Sequence, residues 1–472
     1  MNRLSDATLE TLPAGIERPG YDRAAVKTGV VHLGIGAFHR AHQAVVFDDL
    51  MRASDLRWGI LGASLRSPAV AEQLNPQDGL YTVTVRDGAT EQTRVIGAGR
   101  GVLVAPRDPA KLVAAMAEAD VHLITLTVTE KGYLPDDTED PTAPRTAPGF
   151  IVAALAERRA RGMQPFTAIS CDNLPSNGRR LAAAVQTLAR RHDPHLADWI
   201  EANGAFPETM VDRIVPATTD NDIEALAAKL GVRDEAMVKT EPFSQWVVED
   251  RFAGARPDLA SAGVQLTQHV APWEDAKLRL LNGAHSTIAY LGGLAGVEFV
   301  HEFVARAEGR ALVERLWDEA ASTLDPPPGL DIPAYRAALM GRFSNSSLQH
   351  RTRQIAMDGS QKLPQRLLAS IAVRLERGQS IETLGLAVAA WMRWQGGRDD
   401  AGQPFTVDDP LAATTTRLYA DAISPADKVR ALLSVEAIFP PKLAAEPRFI
   451  EVLTRRLTLL IERGAAAATL AS

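Results

Sequence analysis

"VVHLGIGAFHRAHQAVVFDDL", residues 30–50, runs from β-branched apolar residues through two glycines into a segment with helical spacing. A strand that turns at Gly34 and Gly36 and enters a helix at Ala37 and Phe38 sets backbone N–H groups at the strand's carboxyl end. This is how an α/β fold holds a pyrophosphate: glycine admits the ligand close to the backbone, and the helix N-terminus favours negative charge. The G-x-G-x-x-G pattern is incomplete, because His39 stands where the third glycine belongs. The turn alone leaves dinucleotide binding and a plain tight β-to-α connection both open.

Outward from this turn, "WGILGASL", "YTVTV", "TRVIG", "DVHLITLTV", "FTAISCDN" and "MVDRIVPAT" are short β-rich runs separated by helical patterns. Several are continuously apolar, as expected of strands covered on both faces. Residues 1–272 are therefore expected to form a Rossmann-like α/β domain with a mostly parallel sheet. From residue 273 to 472 apolar residues recur at helical spacing and strands nearly vanish, so this part reads as an all-α domain. "LPQRLLASIAVRLERG" and "RFIEVLTRRLTLLIERG" each close on a glycine suited to a helix C-cap, which makes the terminal "GAAAATLAS" a short biased tail. The Pro-rich stretch 134–149 follows the strand ending near Val128 and reads either as a lid or as a flexible surface loop.

The second strand should end on an acidic residue that bonds the adenosine ribose of NAD. Here it is followed by Arg66, Ser67, Pro68 and Ala69, with no carboxylate until Glu72. Arg66 could meet the 2′-phosphate of NADP, so NAD is the expected cofactor with NADP left open.

The 472 residues exceed one ordinary core, and 46% hydrophobic with 23% charged residues is the balance of an average globular protein. A net charge of −7 argues against a nucleic-acid partner, whose phosphates need Lys and Arg. One cysteine excludes an intramolecular disulfide and a Cys-rich metal site, and fits a cytoplasmic location. The N-terminus lacks an apolar signal core and no apolar run is long enough to span a bilayer. The oligomeric expectation stays at a monomer or small homo-oligomer.

"KLRLLNGAHS", residues 277–286, carries polar groups inside an apolar helix. On a regular α-helix Glu274, Lys277, Asn282 and His285 fall within an arc of about 140°. Lys277 is followed by leucines, and desolvation lowers a lysine pKa enough to make it a base near neutral pH. Oxidation of an alcohol needs such a base and donors for the developing alkoxide; Asn282 and Asn173, the latter in "SCDNLPSNG", can donate. With scattered histidines and one cysteine no metal site is expected, so the proton chemistry should be metal-free. His285 suits either a substrate contact or a satisfied core histidine.

"HLGIGAFHRAHQA", "LTVTEKGY", "SCDNLPSNG", "MVDRIVP", "EPFSQWVVEDRF", "KLRLLNGAHS" and "DGSQKLPQR" occur in order over nearly the whole chain. Together they resemble the mannitol dehydrogenase family of long-chain polyol dehydrogenases and reductases. The resemblance implies Lys277 as general acid/base, Asn173 and Asn282 as the oxyanion-stabilising pair and His285 as a substrate contact. It also implies substrate-side roles for Asp212, Lys362 and Glu274, the last where the family has a carboxylate linked to the proton path. Thr129 and Glu130 would lie near the nicotinamide. The absent acid near Pro68 and Ala69 departs from the family's mannitol enzymes.

"LQHRTRQIAMDGSQKLPQR", residues 348–366, looks more like the fructuronate reductases of the family than its mannitol enzymes. Its basic residues His350, Arg351, Arg353, Lys362 and Arg366 would suit a sugar-acid carboxylate, with Arg351 and Arg353 as the assigned contacts, although any of these arginines could instead cap a helix or pair with an acid. The expected reaction is reversible reduction of D-fructuronate to D-mannonate, with mannitol or arabinitol oxidation as the alternative. A dinucleotide sensor without turnover is the competing class, and it would have no need of Lys277.

Overall fold

A computed structural model describes residues 1–133 and 136–471. The chain separates into two compact units, Met1–Ala271 and Pro272–Ser472.

The strands of the first unit are β1 (Thr28–Leu33), β2 (Gly59–Ser64), β3 (Tyr81–Asp87), β4 (Thr90–Ile96), β5 (Gly99–Val104), β6 (Leu123–Leu126), β7 (Thr167–Ser170), β8 (Thr209–Asp212), β9 (Val238–Thr240), β10 (Gln245–Glu249) and β11 (Gln265–Thr267). A parallel sheet has the order β5-β2-β1-β6-β7, which puts β1 at its centre. Alternate residues of β1 enter different cores. Val30 packs with Phe47, Met51 and Trp246, while Val31 and Leu33 join Phe150, Ile151 and Leu181. Both faces are covered, which is why the strand is apolar throughout.

"YTVTV" and "TRVIG" are not members of this sheet. They form the antiparallel hairpin β3–β4, with Tyr81 opposite Ile96, and β9 extends it. The edge of the parallel sheet is filled instead by "GRGVLV", which escapes a propensity reading because of its glycines. Those glycines serve close approach: a Cβ on Gly99 would stand 2.4 Å from the Gly79 carbonyl oxygen.

The first part of the Pro-rich stretch, Leu134 and Pro135, lies outside the described residues. From Asp136 onward the chain is pinned. Glu139 is buried and accepts from the backbone N–H groups of Arg145 (2.8 Å) and Thr146 (3.0 Å), while Arg191 donates to its carbonyl at 3.0 Å. The stretch ends inside the helix Ala147–Ala160, capped by Thr146, which accepts from Gly149 N–H.

The second unit is helical. All 12 residues of its central helix, Gly283–Leu294, are buried, and the helices Glu382–Trp394 and Pro447–Leu470 pack on it. The terminal "GAAAATL" belongs to that last helix rather than to a tail. Gly464 kinks the helix at φ 78° as expected of a cap, but Asp400 then accepts from the Ala465 N–H at 2.6 Å. That carboxylate starts a new helical turn in an alanine run of high helix propensity, which buries Ala465 and Ala468. Among the described residues no helix is long and apolar enough to cross a membrane.

Candidate active site

In the first unit the turn after β1 depends on Gly34. Its φ is +92°, and a Cβ would stand 2.2 Å from the Thr127 carbonyl oxygen at the end of β6. Gly36 is different: it is exposed, caps the helix Ala37–Ala41, and has no neighbour closer than 3.9 Å to a built Cβ. The first glycine makes the turn, and the second leaves the helix start open to a phosphate, so these residues fit a dinucleotide. Gly34→Ala is expected to cost more than the ~1–2 kcal/mol of a left-handed residue, because the clash is with backbone. Differential scanning calorimetry should show the loss, and titration should show dinucleotide affinity falling with it.

His39 explains how the missing third glycine is tolerated. Its ring lies flat on that of His32 in β1, with centroids 3.4 Å apart and planes 14° from parallel. The helix is spaced from the strand by an imidazole instead of touching it. After Ala41 the helix breaks at His42 (φ −125°, ψ −88°) and restarts as Gln43–Arg52, where the sequence suggested one helix.

His32 joins a hydrogen-bond chain that ends on the turn. The Thr127 hydroxyl donates to the Gly34 carbonyl at 2.7 Å, so it must accept from His32 Nε2–H at 3.0 Å. His32 Nδ1 is then the acceptor for the Thr125 hydroxyl at 2.8 Å. Burial holds His32 down to a pKa of about 3 and keeps it neutral.

Arg66 is exposed two residues past β2. Thr129, past β6, is exposed with φ +70°, and the carboxylate of Asp172 fixes this loop by accepting from Val128 N–H (3.0 Å) and Thr129 N–H (2.9 Å) and from the Tyr133 hydroxyl. Glu130 opens the turn Glu130–Tyr133, and its side chain lies outside the described residues. Asn173, next to Asp172, is exposed; Asp212 is buried at the end of β8. Asn177, which carries no part in the sequence reading, is buried and ties this strand end to Thr209 through donation and acceptance at 3.0 Å.

In the second unit Lys277 to Asn282 is a π turn set between the helices Ala271–Ala276 and Gly283–Leu294. On the regular α-helix that the sequence predicts, Lys277 and Asn282 are about 140° apart. In a π turn the hydrogen bonds run five residues, here from Gly283 N–H to the Leu278 carbonyl, so residues five apart lie closer together around the helix than on an α-helix. The wider turn therefore brings Lys277 and Asn282 to the same side. Lys277 is 7% exposed, and Asn282 and Glu274 are half-buried.

His285, buried on the next turn, has the Phe343 ring at 4.8 Å and the His350 ring at 5.1 Å. Its pKa lies well below the usual histidine range, through burial first, then repulsion between its protonated form and that of His350, and then the positive charges of Arg342 and Arg366. The imidazole is neutral and sits in a positive field.

Arg351 and Arg353 do not share that position. Arg351 pairs with Glu298 over the Phe299 ring, and Arg353 lies 3.8 Å from Asp399 over the Phe405 ring. Both line a separate cavity of about 330 Å³ with Gly293 and Gly296, at the opposite end of the central helix from His285. The chain alternates direction here, so that His350 turns to His285 and its neighbour Arg351 turns away. Lys362 is committed as well: its ammonium donates to the carbonyls of Met357 and Ile355 and thereby closes the helix Thr352–Ile355. Burial lowers its pKa, helped by Arg366. Among the described residues no group of three or more His, Cys, Asp or Glu side chains is arranged to hold a metal ion.

The family models agree with this division. Residues 28–261 match the mannitol dehydrogenase Rossmann domain and residues 269–461 the mannitol dehydrogenase C-terminal domain. The chain belongs to the mannitol dehydrogenase family. D-mannonate oxidoreductase of Escherichia coli K12 is 43% identical, over 95% of this chain and 96% of that one. Mannitol 2-dehydrogenase of Pyricularia oryzae is 38% identical, over 96% of each. The mannitol 2-dehydrogenase of Pseudomonas fluorescens, solved with NAD and D-mannitol, superposes with a TM-score of 0.81 at 35% identity, covering 99% of this chain and 98% of that one.

As a member of the mannitol dehydrogenase family the chain is an oxidoreductase, and its fold is a Rossmann-like unit followed by a helical one. Sequence reasoning missed Asp172, Asn177 and Arg342 in this frame. Asp172 and Asn177 sit in a quoted motif, "SCDNLPSNG", where buried polar residues at a strand end are the available signal; Arg342 has none.

Proposed function

We propose that the protein is an NAD-dependent oxidoreductase that interconverts D-fructuronate and D-mannonate. The observation that carries the reaction type is the buried Lys277 on a π turn that ends on Asn282, one turn from the neutral His285. In the oxidising direction Lys277 takes the proton of the reacting hydroxyl. Asn282 and Asn173 donate to the oxygen as its charge develops, and His285, neutral, bonds a neighbouring hydroxyl. A bound nicotinamide supplies the hydride acceptor. In reduction the Lys277 ammonium returns the proton. Asp212 and Glu274 are assigned to the substrate side, and Gly34, Gly36, Ala37, Phe38, Thr129 and Glu130 to the dinucleotide.

The positive field at His285 supports an anionic substrate, and so does the 43% identity to a D-mannonate oxidoreductase. Arg342, beside His285, takes the place of Arg351 and Arg353 as the charge that favours a carboxylate, because the latter two line the separate cavity at the other end of the central helix. Oxidation of mannitol is the second reading, supported by the relatives named for that activity.

Initial rates with D-fructuronate and D-fructose, each with NADH and NADPH, decide between them. A charge-assisted contact is worth roughly 1.5–3 kcal/mol, so kcat/KM should favour fructuronate by about ten- to a hundredfold. Preference for fructose overturns the sugar-acid assignment. A preference for NADPH would give Arg66 the 2′-phosphate and overturn NAD as cofactor.

A further inference from the structure

We infer that Arg366 and Trp317 are positioning residues which hold the π turn open and so keep Lys277 and Asn282 aligned. The inference rests on the role proposed for those two residues.

"KLRLLN" contains good α-helix formers and no proline or glycine, so nothing local widens this turn. An α-to-π switch leaves helix carbonyls without their usual donors, and buried carbonyls need replacements. Besides Gly283 N–H, which also reaches the Leu280 carbonyl, the replacements come from other helices. Trp317 Nε1–H donates to the Leu280 carbonyl at 2.9 Å, and Arg366 donates to Ser286 Oγ at 3.1 Å and to the Asn282 carbonyl at 3.5 Å. Both donors are held: Trp317 is fully buried beneath Arg336, and Arg366 is buried enough that its pKa falls to about 10.

Arg366 itself belongs to a second π turn, Pro364–Leu368. Here the sequence does give a cause, because Pro364 follows the helix Gly359–Leu363 directly and can neither donate to the preceding turn nor fit beneath its carbonyl. The two π turns touch at Gly283, where a Cβ would stand 3.0 Å from the Arg366 carbonyl oxygen. A proline-imposed π turn thus presents the arginine that stabilises the π turn carrying the base. If Arg366 is lost, the favourable state of "KLRLLN" is the α-helix, which swings Asn282 away from Lys277.

The test compares wild type with Arg366→Ala, Arg366→Lys and Trp317→Phe. Arg366→Ala should lower kcat by about ten- to a hundredfold, as expected of a misplacement near 1 Å, equally for the charged and the neutral substrate. The primary deuterium isotope effect on kcat should rise, dinucleotide affinity should stay, and added guanidinium ion should restore part of the rate. Trp317→Phe should show the same isotope effect at smaller loss. A purely structural brace would lower Tm without raising the isotope effect or permitting rescue. Loss confined to fructuronate would make Arg366 a carboxylate contact and overturn the inference. Amide exchange provides a reading independent of turnover: Arg366→Ala should speed exchange across residues 277–286 and leave the Pro447–Leu470 helix unchanged. Unchanged exchange in 277–286 overturns the brace whatever the activity, whereas faster exchange in a protein whose wild type oxidises no alcohol leaves the brace and overturns the proposed reaction.

Discussion

Lys277→Ala is expected to lower kcat by about 10²–10⁴-fold while leaving dinucleotide affinity unchanged, the range measured when a positioned general base is removed. The two readouts separate because the Gly34–Gly36 turn and Lys277 belong to different compact units. Lys277→Arg should be nearly as slow as the alanine variant. It keeps the positive charge, but a guanidinium has no lone pair to receive the hydroxyl proton. A charge-only role would instead be rescued by arginine, and turnover within a few-fold of wild type in both variants would remove Lys277 from the proton path. Steady-state rates at several pH values, with dinucleotide binding followed by fluorescence, supply both quantities. A protein that only senses dinucleotide would show no turnover in the wild type to begin with.

The placement of Lys277 also marks the limit of what the sequence makes legible. Which residues are polar in an apolar helix is visible in "KLRLLNGAHS", and the arc they share can be worked out for an α-helix. The π turn that aligns Lys277 with Asn282 is invisible there, because its cause lies 35 or more residues away in Trp317 and Arg366. The reverse holds at Pro364, where the widening has a local cause. In the first unit the strand and Gly34 turn read directly, since a positive φ beside a carbonyl permits no other residue. "GRGVLV" did not, because glycine lowers β-propensity even where backbone approach demands it. The same limit applies to Arg351 and Arg353. Charge clustering along the chain says nothing about side-chain direction, and Glu298 and Asp399, distant in sequence, decide it.

Acidification from pH 7 to pH 5 is expected to destabilise the protein strongly, through histidines kept neutral by burial. His32 is held at about pKa 3, and His39 lies well below the usual range, through burial and then the neighbouring His32. In the unfolded chain both titrate near 6.5. Below that pH the unfolded state binds protons that the native state refuses, so stability falls as pH falls, for His32 down to about pH 3. Each such histidine contributes a slope of about 1.4 kcal/mol per pH unit. His32 and His39 together therefore give the first unit's transition about 3 kcal/mol per unit below pH 6.5, visible as a falling Tm in calorimetry. His39→Phe tests the cause directly. Neither ring nitrogen of His39 meets hydrogen-bond distance and angle with a partner among the described residues, so phenylalanine gives up at most the weak Gln43 contact, retains the stack and removes one titration. The variant should be more stable at pH 5 and should lose about half of the first unit's slope; an unchanged slope would refute the assignment. His32 cannot be exchanged so simply, since its two nitrogens carry the hydrogen-bond chain from Thr125 through Thr127 to the Gly34 carbonyl. Protonating it turns the nitrogen that accepts from Thr125 into a donor and opposes that chain. Because the folded His32 refuses that proton down to about pH 3, the dinucleotide affinity of the folded unit should hold through the acid range and be lost only with unfolding, the same neutral imidazole supporting both the core and the turn.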